Sequence, residues 1–295
     1  MVVLVTGANS QLALCLKDLY DKSYECLQDN WIFLSHRQLD ITDEASVKKA
    51  LDNIGPDIIV NCAAYTDVEK AEEEFMQAHK TNCIGVENLA SECQARNIVL
   101  IHISTDYVYD QNCGLKPICE DSLLNPLSKY AITKFLGELA CKKTQGSIVI
   151  RTSWLYSKYG KNFVKTMVGK MLDNEDVQVV DDQVGRPTNA NDLAEFIMFS
   201  IVANRNFSKN SEPTIYNFQD NGEECTWYEF AKKIKEYIGS TSKVIPISSN
   251  VFGSKVTRPS YSTMDIGKAS KYMHILAWDV SLKLFMKEYI KQINE

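Results

Sequence analysis

The 295-residue sequence has no run of about 18 consecutive apolar residues, which a transmembrane helix needs. It also does not begin with a basic segment followed by an apolar stretch, so we expect no signal peptide. Its 32 Lys and Arg residues are outnumbered by 38 Asp and Glu residues, and a net charge of −6 offers no general attraction for nucleic acids or anionic membranes. We therefore expect no nucleic-acid partner and no membrane partner.

The nine cysteines lack the spacing that is typical of zinc sites or of a disulfide framework. No two of them form a CxxC motif, their number is odd, and most lie inside apolar segments. We interpret them as buried thiols in a reducing compartment, which predicts a cytoplasmic protein.

Short apolar runs alternate with amphipathic stretches through the first half of the chain. Strands are predicted at 2–5, 31–34, 57–60, 98–103 and 147–151. Helices are predicted at 12–20, 45–54, 68–95 (with a break near 80–82) and 128–143. This alternation indicates βαβ units with right-handed crossovers. We therefore predict an α/β fold with a Rossmann-like, doubly wound parallel sheet that helices cover on both faces.

After residue 152 the alternation becomes less regular, with short strands predicted near 177–180, 214–218 and 243–247. No linker is long enough to separate independent units. We predict a dinucleotide-binding domain made of residues 1–152 and a segment near 190–218 that returns to the sheet. The remainder of 153–295 is expected to form a smaller C-terminal substrate-binding lobe.

A tight turn, TGANSQLA at 6–13, joins the first predicted strand to the first helix. Backbone N–H groups at such a helix start bind the pyrophosphate of a dinucleotide. Of the three usual glycines only Gly7 is present, with Ser10 and Ala13 at the other two positions, so a plain structural turn is the competing interpretation. Cofactor contacts are predicted for Gly7, Asn9, Ser10, Gln11 and Leu12.

The end of the second strand bears on which dinucleotide is bound. Sites specific for NAD usually carry an acid here, whereas this chain has Ser35, His36 and Arg37, and an arginine suits the 2′-phosphate of NADP. We therefore predict NADPH as the cofactor, with NADH as the alternative; an arginine that merely faces solvent is the competing interpretation of Arg37. Further cofactor contacts are expected from Asp40, Ile41, Ala63, Ala64 and Tyr65.

A tyrosine and a lysine four residues apart lie on one face of the helix predicted after the fourth strand. Tyr130 is predicted to be a general acid toward a carbonyl that receives hydride. Lys134 is expected to lower the tyrosine pKa from about 10 and to contact the nicotinamide ribose, and both residues are predicted cofactor contacts. Thr105 is expected to orient the same carbonyl oxygen. YxxxK is common by itself, but here it follows the glycine turn and Thr105 in an order that brings all three to one crevice of the sheet.

This order resembles the extended short-chain dehydrogenase/reductases and, within them, the dTDP-4-dehydrorhamnose reductase family. The resemblance extends over most of the chain. The matching stretches are NCAAYTDVEKAE at 61–72, STDYVY at 104–109, NP at 125–126, YAITKFLG at 130–137, RTSWLY at 151–156, NF at 162–163, KTM at 165–167, DQVGRPT at 182–188, TW at 226–227 and RP at 258–259.

The resemblance implies a Thr/Tyr/Lys catalytic set, which maps onto Thr105, Tyr130 and Lys134. It also implies hydride transfer from NAD(P)H to C4 of a dTDP-linked 4-keto sugar, which converts dTDP-4-dehydrorhamnose to dTDP-L-rhamnose. The chain departs from the family at the glycine turn and at Tyr261, where the family usually has asparagine. Some members bind Mg²⁺ through carboxylates at a dimer contact; those acids have no evident counterpart here, so we predict no metal, while a homodimer stays open.

Residues that follow the third, fourth and fifth strands, together with the second lobe, are expected to bind the nucleotide sugar. Arginine suits a pyrophosphate because its planar donors match two oxygens at once, and we favour Arg258 over Arg186. For Trp154 and Phe163, packing in the core is the competing interpretation. The predicted substrate contacts are Thr66, Val68, Thr105, Asp106, Trp154, Phe163 and Arg258.

Three functions stay open on the sequence alone. The first is the 4-keto reductase, and the second is a reductase of another nucleotide-linked sugar or a dehydratase or epimerase relative. A dehydratase needs a pair of acid–base carboxylates after Thr105, and Asp106 has no glutamate beside it. The third is a regulatory subunit that binds NADP without catalysis; the incomplete glycine turn favours it, and the intact catalytic set disfavours it.

Overall fold

The computed structural model describes residues 1–23, 28–111, 114–209 and 211–294. The strands are β1 (Val2–Thr6), β2 (Asn30–Leu34), β3 (Ile58–Asn61), β4 (Val99–Thr105), β5 (Ile148–Thr152), β6 (Leu155–Tyr156), β7 (Val177–Val180), β8 (Val184–Gly185), β9 (Thr188–Asn189), β10 (Thr214–Phe218), β11 (Cys225–Thr226) and β12 (Val244–Ile247). Six of them form a parallel sheet in the order β10-β5-β4-β3-β1-β2.

The helices are α1 (Gln11–Ser23), α2 (Glu44–Ile54), α3 (Phe75–His79), α4 (Gly85–Arg96), α5 (Lys129–Cys141), α6 (Phe163–Leu172), α7 (Ala190–Glu195), α8 (Trp227–Ile238), α9 (Ser249–Phe252) and α10 (Trp278–Asn294). Two π-helical segments, Lys80–Ile84 and Phe196–Ala203, extend the helical path after α3 and α7. Within the described part of the chain, no helix is both long enough and apolar enough to cross a membrane.

The two faces of the sheet bury alternate residues of each strand, as the period of a strand requires. On β1, Val3 and Val5 pack with Leu16 of α1 and Leu193 of α7, whereas Leu4 packs on the opposite face with residues of α2, α4 and α5. The sheet therefore has a helical layer on each side, which confirms the predicted doubly wound α/β fold.

The break predicted near 80–82 is instead a π-helical turn, and the chain stays helical from α3 into α4. This wide turn aims the Asn82 carboxamide at the chain after β3: it accepts a hydrogen bond from the Tyr65 N–H (2.8 Å) and donates to the Tyr65 carbonyl oxygen (3.0 Å). Helix α5 fits against the turn at Gly137, where a Cβ would lie 2.2 Å from the Asn82 carbonyl oxygen.

The second half of the chain forms three small two-stranded sheets and a separate apolar core between α6, α8 and α10. Part of this half returns to the first: α7 packs against α1, and β10 pairs with β5 at the edge of the main sheet. The two halves are therefore continuous through shared core residues rather than joined by a linker.

The cysteines of the described ranges are free thiols. Six of them are buried, namely Cys15, Cys62, Cys83, Cys93, Cys141 and Cys225, and Cys119 is half-buried. Cys26 and Cys113, which the sequence also predicted to be buried, lie outside the described residues. No group of three or more metal-binding side chains comes together in the described part of the molecule.

A buried ion pair joins α5 to the centre of the sheet. Arg151 of β5 and Glu138 of α5 have no exposed side-chain surface and form two hydrogen bonds, of 2.9 Å from Nε and 2.7 Å from Nη2. The Ser104 hydroxyl of β4 donates to the same carboxylate (2.5 Å), and Arg151 also donates to the Glu120 carbonyl oxygen (3.1 Å). All charged atoms of the pair thus have partners, as burial of charge requires.

Glu138→Gln leaves the Arg151 charge buried without its counter-ion, so we expect a loss of about 3–5 kcal/mol in the free energy of unfolding. The double variant Glu138→Leu/Arg151→Met removes both charges and should recover most of that loss. Urea denaturation measures both, with Lys17→Gln, which breaks only an exposed pair with Asp21, as the control. A loss as small as that of the control would contradict a structural role for the buried pair.

Candidate active site

A cavity of about 830 Å³ opens at the carboxyl edge of the sheet, above the ends of β1, β3, β4 and β5. Loops at this edge of a parallel sheet form the ligand crevice of doubly wound folds. Of the site residues predicted from the sequence, the cavity is lined by Gly7, Asn9, Ser10, Gln11, Leu12, Ala63, Ala64, Tyr65, Thr66, Val68, Thr105, Asp106, Tyr130, Lys134 and Trp154. The predicted residues Arg37, Asp40, Ile41, Phe163 and Arg258 are not part of the lining.

The turn after β1 is tight and requires a glycine at position 7. Gly7 has a φ of 62°, and a Cβ there would lie 2.7 Å from the backbone of Ala63, so no other residue fits. Ser10 directly precedes α1, and its hydroxyl accepts a hydrogen bond from the Ala13 N–H (3.4 Å). Serine therefore replaces the second glycine as a helix cap, and Gln11 and Leu12 of the first turn of α1 line the cavity.

The residues after β2 divide between surface and core. His36 lines the cavity, whereas Arg37 beside it is exposed at the surface. Asp40 accepts hydrogen bonds from the Thr42 N–H and hydroxyl (2.9 and 2.8 Å) and so orders its own turn. Ile41 is 3% exposed and packs against Gly85 of α4, which places its side chain in the core below the cavity.

Tyr130 and Lys134 lie one helical turn apart at the start of α5, which Ser128 caps by accepting a hydrogen bond from the Ala131 N–H (3.1 Å). Both side chains are buried, Tyr130 at 8% and Lys134 at 2% exposure. The Lys134 ammonium donates a hydrogen bond of 2.6 Å to the Ile103 carbonyl oxygen of β4. The backbone of β4 therefore anchors the lysine at the cavity wall.

The expectation that Lys134 lowers the tyrosine pKa is wrong for this geometry. Burial raises the pKa of Tyr130 to about 12, and a hydrogen bond with Thr105 only partly opposes that shift. Burial also lowers the pKa of Lys134 to about 8, against the attraction of the Glu138 carboxylate. Desolvation dominates because the ammonium is directed at Ile103 and not at the phenol.

Thr105, Asp106 and Tyr107 follow β4 directly into the cavity. The Thr105 hydroxyl donates to the Asp106 carboxylate (3.1 Å) and accepts from the Tyr107 N–H (3.3 Å). The Tyr107 ring meets the Tyr130 ring edge-on, with centroids 5.6 Å apart. The predicted Thr105 and Tyr130 hydroxyls thus share one end of the cavity, with Tyr107 packed beside them.

The aromatic residues of the second half form a stack beside the cavity. Trp154, which has a φ of 47°, lines the cavity and stacks on Trp227 with centroids 3.7 Å apart. Phe163 packs on Trp227 and Phe230 behind it and does not reach the cavity. The Trp154 ring is therefore part of the aromatic core and also part of the cavity wall.

Arg258 does not face the cavity; its guanidinium pairs with Glu69 at 2.8 Å. Tyr261, at the position where the chain departs from its family, is 4% exposed, donates a hydrogen bond to Glu224 and packs with Val108 and Met264. The departure at Tyr261 is thus accommodated by a buried contact rather than by a change in the cavity lining.

Several cavity residues were missed by the sequence reasoning. Tyr107 and Thr152 stand in matching stretches, STDYVY and RTSWLY, so their position after a strand was an available signal. Gly160 and Lys161 had no such signal, because a loop of the second half brings them over α1. The remaining lining residues are His36, Asn61, Cys62, Thr81, Ile103, Ser104, Ser153 and Leu155.

The doubly wound sheet, the cavity at its carboxyl edge and the Thr105, Tyr130 and Lys134 arrangement define the class of extended short-chain dehydrogenase/reductases. More closely, the RmlD substrate binding domain model matches residues 1–291, and the chain belongs to that family. Both results confirm the resemblance expected from the sequence.

Similar proteins match this chain over nearly its whole length. The chain is 38% identical over 264 residues to the spore coat polysaccharide biosynthesis protein SpsK of Bacillus subtilis (89% of this chain, 88% of that protein). It is 36% identical over 280 residues to a dTDP-4-dehydrorhamnose reductase of Sinorhizobium fredii (92% and 91%). A solved structure of dTDP-4-dehydrorhamnose reductase from Bacillus anthracis, in complex with NADP, matches with a TM-score of 0.87 at 34% identity (97% and 99%).

We expect the buried Asp106 carboxyl to make the stability of the protein depend on pH. Burial raises its pKa from 3.8 to about 6, so the folded protein binds this proton more tightly than the unfolded chain does, and stability falls as pH rises between those values. Asp106→Asn removes that dependence. Relative to wild type, we expect the variant to gain up to about 3 kcal/mol more at pH 7 than at pH 4.

Urea denaturation of both proteins at the two pH values measures the difference. Asp121→Asn, at an exposed position, is the control and should change stability equally at both. An equal effect of Asp106→Asn at pH 4 and pH 7 would contradict the raised pKa.

Proposed function

We propose that this protein is an NADPH-dependent reductase that transfers hydride to the C4 keto carbon of dTDP-4-dehydrorhamnose and so forms dTDP-L-rhamnose. The observation that carries this proposal is one cavity with a dinucleotide-type glycine turn at one end and Thr105, Tyr130 and Lys134 at the other. Membership of the RmlD substrate binding domain family and the NADP complex of a relative support it.

The residues around the turn fit a dinucleotide. Gly7 leaves space that a Cβ would fill, the start of α1 presents free N–H groups, and Ala63 and Ala64 have side chains small enough for close approach. Asn9, Ser10, Gln11, Leu12 and Tyr65 line the same region. Bound NADPH supplies the hydride. Asp40 and Ile41 are less suited to direct contact, because one orders its own turn and the other is buried in the core.

Proton transfer is assigned to Tyr130. With a pKa of about 12 the phenol is protonated at neutral pH and can give its proton to the carbonyl oxygen as that oxygen becomes an alcohol. Thr105 holds the same oxygen through its hydroxyl. Lys134, with a pKa of about 8, is mostly charged at pH 7, and its ammonium is assigned to the hydroxyls of the nicotinamide ribose.

We propose that residues 1–152 and 190–218 bind the dinucleotide and that the remainder of 153–295 binds the nucleotide sugar. The packing of α7 on α1 and the pairing of β10 with β5 support the first assignment. Thr66, Val68, Asp106 and Trp154 lie on the cavity wall, where they can contact the sugar. Arg258 pairs with Glu69 through one nitrogen, and Phe163 supports Trp154 through Trp227.

We also propose that the enzyme works in the cytoplasm without a nucleic-acid partner. The free thiols and the net charge of −6 support the compartment and the lack of a nucleic-acid partner. Sedimentation equilibrium at micromolar concentration decides between a monomer and the homodimer that the sequence left open.

Tyr130→Phe removes the proton donor and leaves the cofactor turn intact. We expect kcat to fall by roughly 10²–10⁴ while the Kd for NADPH stays within about twofold. Loss of nicotinamide absorbance with dTDP-4-dehydrorhamnose measures turnover, and Tyr228→Phe, outside the cavity, is the control. Full activity of Tyr130→Phe would contradict the mechanism.

The same assay separates the remaining functions. A panel of other nucleotide-linked 4-keto sugars distinguishes a reductase of a different sugar by a higher kcat/KM. Tight NADPH binding with no turnover of any 4-keto sugar would identify a regulatory subunit instead.

Arg37→Ala tests the choice of cofactor. The loss of a charged partner for the 2′-phosphate is expected to weaken NADPH binding roughly ten- to hundredfold and to leave NADH binding unchanged. Fluorescence titration with both dinucleotides measures the two Kd values. Equal losses for NADPH and NADH would contradict the role of Arg37.

A further inference from the structure

A loop of the second half of the chain closes over the glycine turn. Residues 157–162 lie against the start of α1, and a Cβ on Gly160 would be 3.0 Å from the Gln11 side chain. The Gln11 carboxamide oxygen accepts hydrogen bonds from the Ser157 hydroxyl (3.0 Å) and from the Asn162 amide (2.9 Å). Hydrogen bonds to Gln11 therefore connect this loop of the second half of the chain to the start of α1, next to the glycine turn.

The loop is held in place on both sides of Lys161. Gly160 has a φ of 60°, and Asn162 donates to the Ser157 carbonyl oxygen (2.7 Å) while it caps α6 by accepting from the Lys165 N–H (3.1 Å). Asn162 is 9% exposed. The hydrogen bonds of Asn162 fix the backbone at Lys161, so the fold determines where this residue lies relative to the turn.

Lys161 lines the cavity together with Gly7, Asn9 and Ser10. The lysine and arginine residues of the cavity lining are Lys134 and Lys161, and the Lys134 ammonium is bound to the Ile103 carbonyl oxygen at the other end. Within the described ranges, the Lys161 ammonium has no hydrogen-bond or ion-pair partner. A positive charge is thus available at the end of the cavity where the turn lies.

We propose that Lys161 binds the pyrophosphate of the dinucleotide cofactor and so adds, from the second half of the chain, to the affinity that the turn at Gly7 supplies. This rests on the proposed function, because it assumes that NADPH binds at Gly7. The start of α1 and the Lys161 ammonium would then both act on the pyrophosphate, and the lysine would offset part of its negative charge.

Lys161→Met keeps the length of the side chain and removes its charge. We expect the Kd for NADPH to rise roughly ten- to hundredfold, because a charged hydrogen bond to phosphate is lost. ADP-ribose, which contains the pyrophosphate, should lose affinity similarly, whereas 2′-AMP, which lacks it, should not. Lys161→Arg should restore most of the affinity, and Lys49→Met, at an exposed position on α2, is the matched control.

Two results would overturn the inference while the proposed function stands: NADPH affinity equal to wild type in Lys161→Met, or a rise in the KM of the nucleotide sugar with the Kd for NADPH unchanged, which would assign Lys161 to the substrate. Equal weakening of 2′-AMP and ADP-ribose would also overturn it, since the loss would then not depend on the pyrophosphate. Failure of the wild-type protein to bind NADPH would overturn the proposed function and this inference together.

Discussion

The buried ion pair between Glu138 and Arg151 is the constraint on which the active site depends. It joins α5, which carries Tyr130 and Lys134, to β5, and through the Ser104 hydroxyl to β4, which carries Thr105. Burying two charges is favourable only when every donor and acceptor is satisfied. The geometry that satisfies Glu138 therefore also sets the distance between the helix that carries Tyr130 and Lys134 and the strand that carries Thr105.

Desolvation shifts the pKa values of the two buried residues Tyr130 and Lys134. A buried phenol holds its proton at neutral pH, and a buried ammonium is easier to deprotonate than one in water, so burial moves the pKa of Tyr130 up and that of Lys134 down. A phenol with a raised pKa can donate a proton at neutral pH, as the proposed mechanism requires of Tyr130. At the other end, the need for close backbone approach explains why Gly7 remains although Ser10 and Ala13 replace the other glycines.

Much of the fold and part of the site could be predicted from local pattern. The apolar strand segments, the glycine turn and the YxxxK motif are short, and their local sequence is enough to indicate their structure. The residues at the carboxyl ends of the strands do line one cavity. Two loop residues that were predicted to contact ligands have other surroundings: Ile41 is buried in the core, and Arg258 pairs with Glu69. Their partners lie far away in the sequence, so no local pattern records them.

By itself the sequence determined the doubly wound sheet, because apolar periodicity is a local property of each strand and helix, and it placed Thr105, Tyr130 and Lys134 in one order along that sheet. Only the tertiary structure decided the pKa direction of Tyr130, since burial and the aim of the Lys134 ammonium arise from packing. It alone also brought Lys161 over the turn at Gly7. Contacts between residues some 150 positions apart, such as Asn162 with Gln11, exist only once the chain is folded.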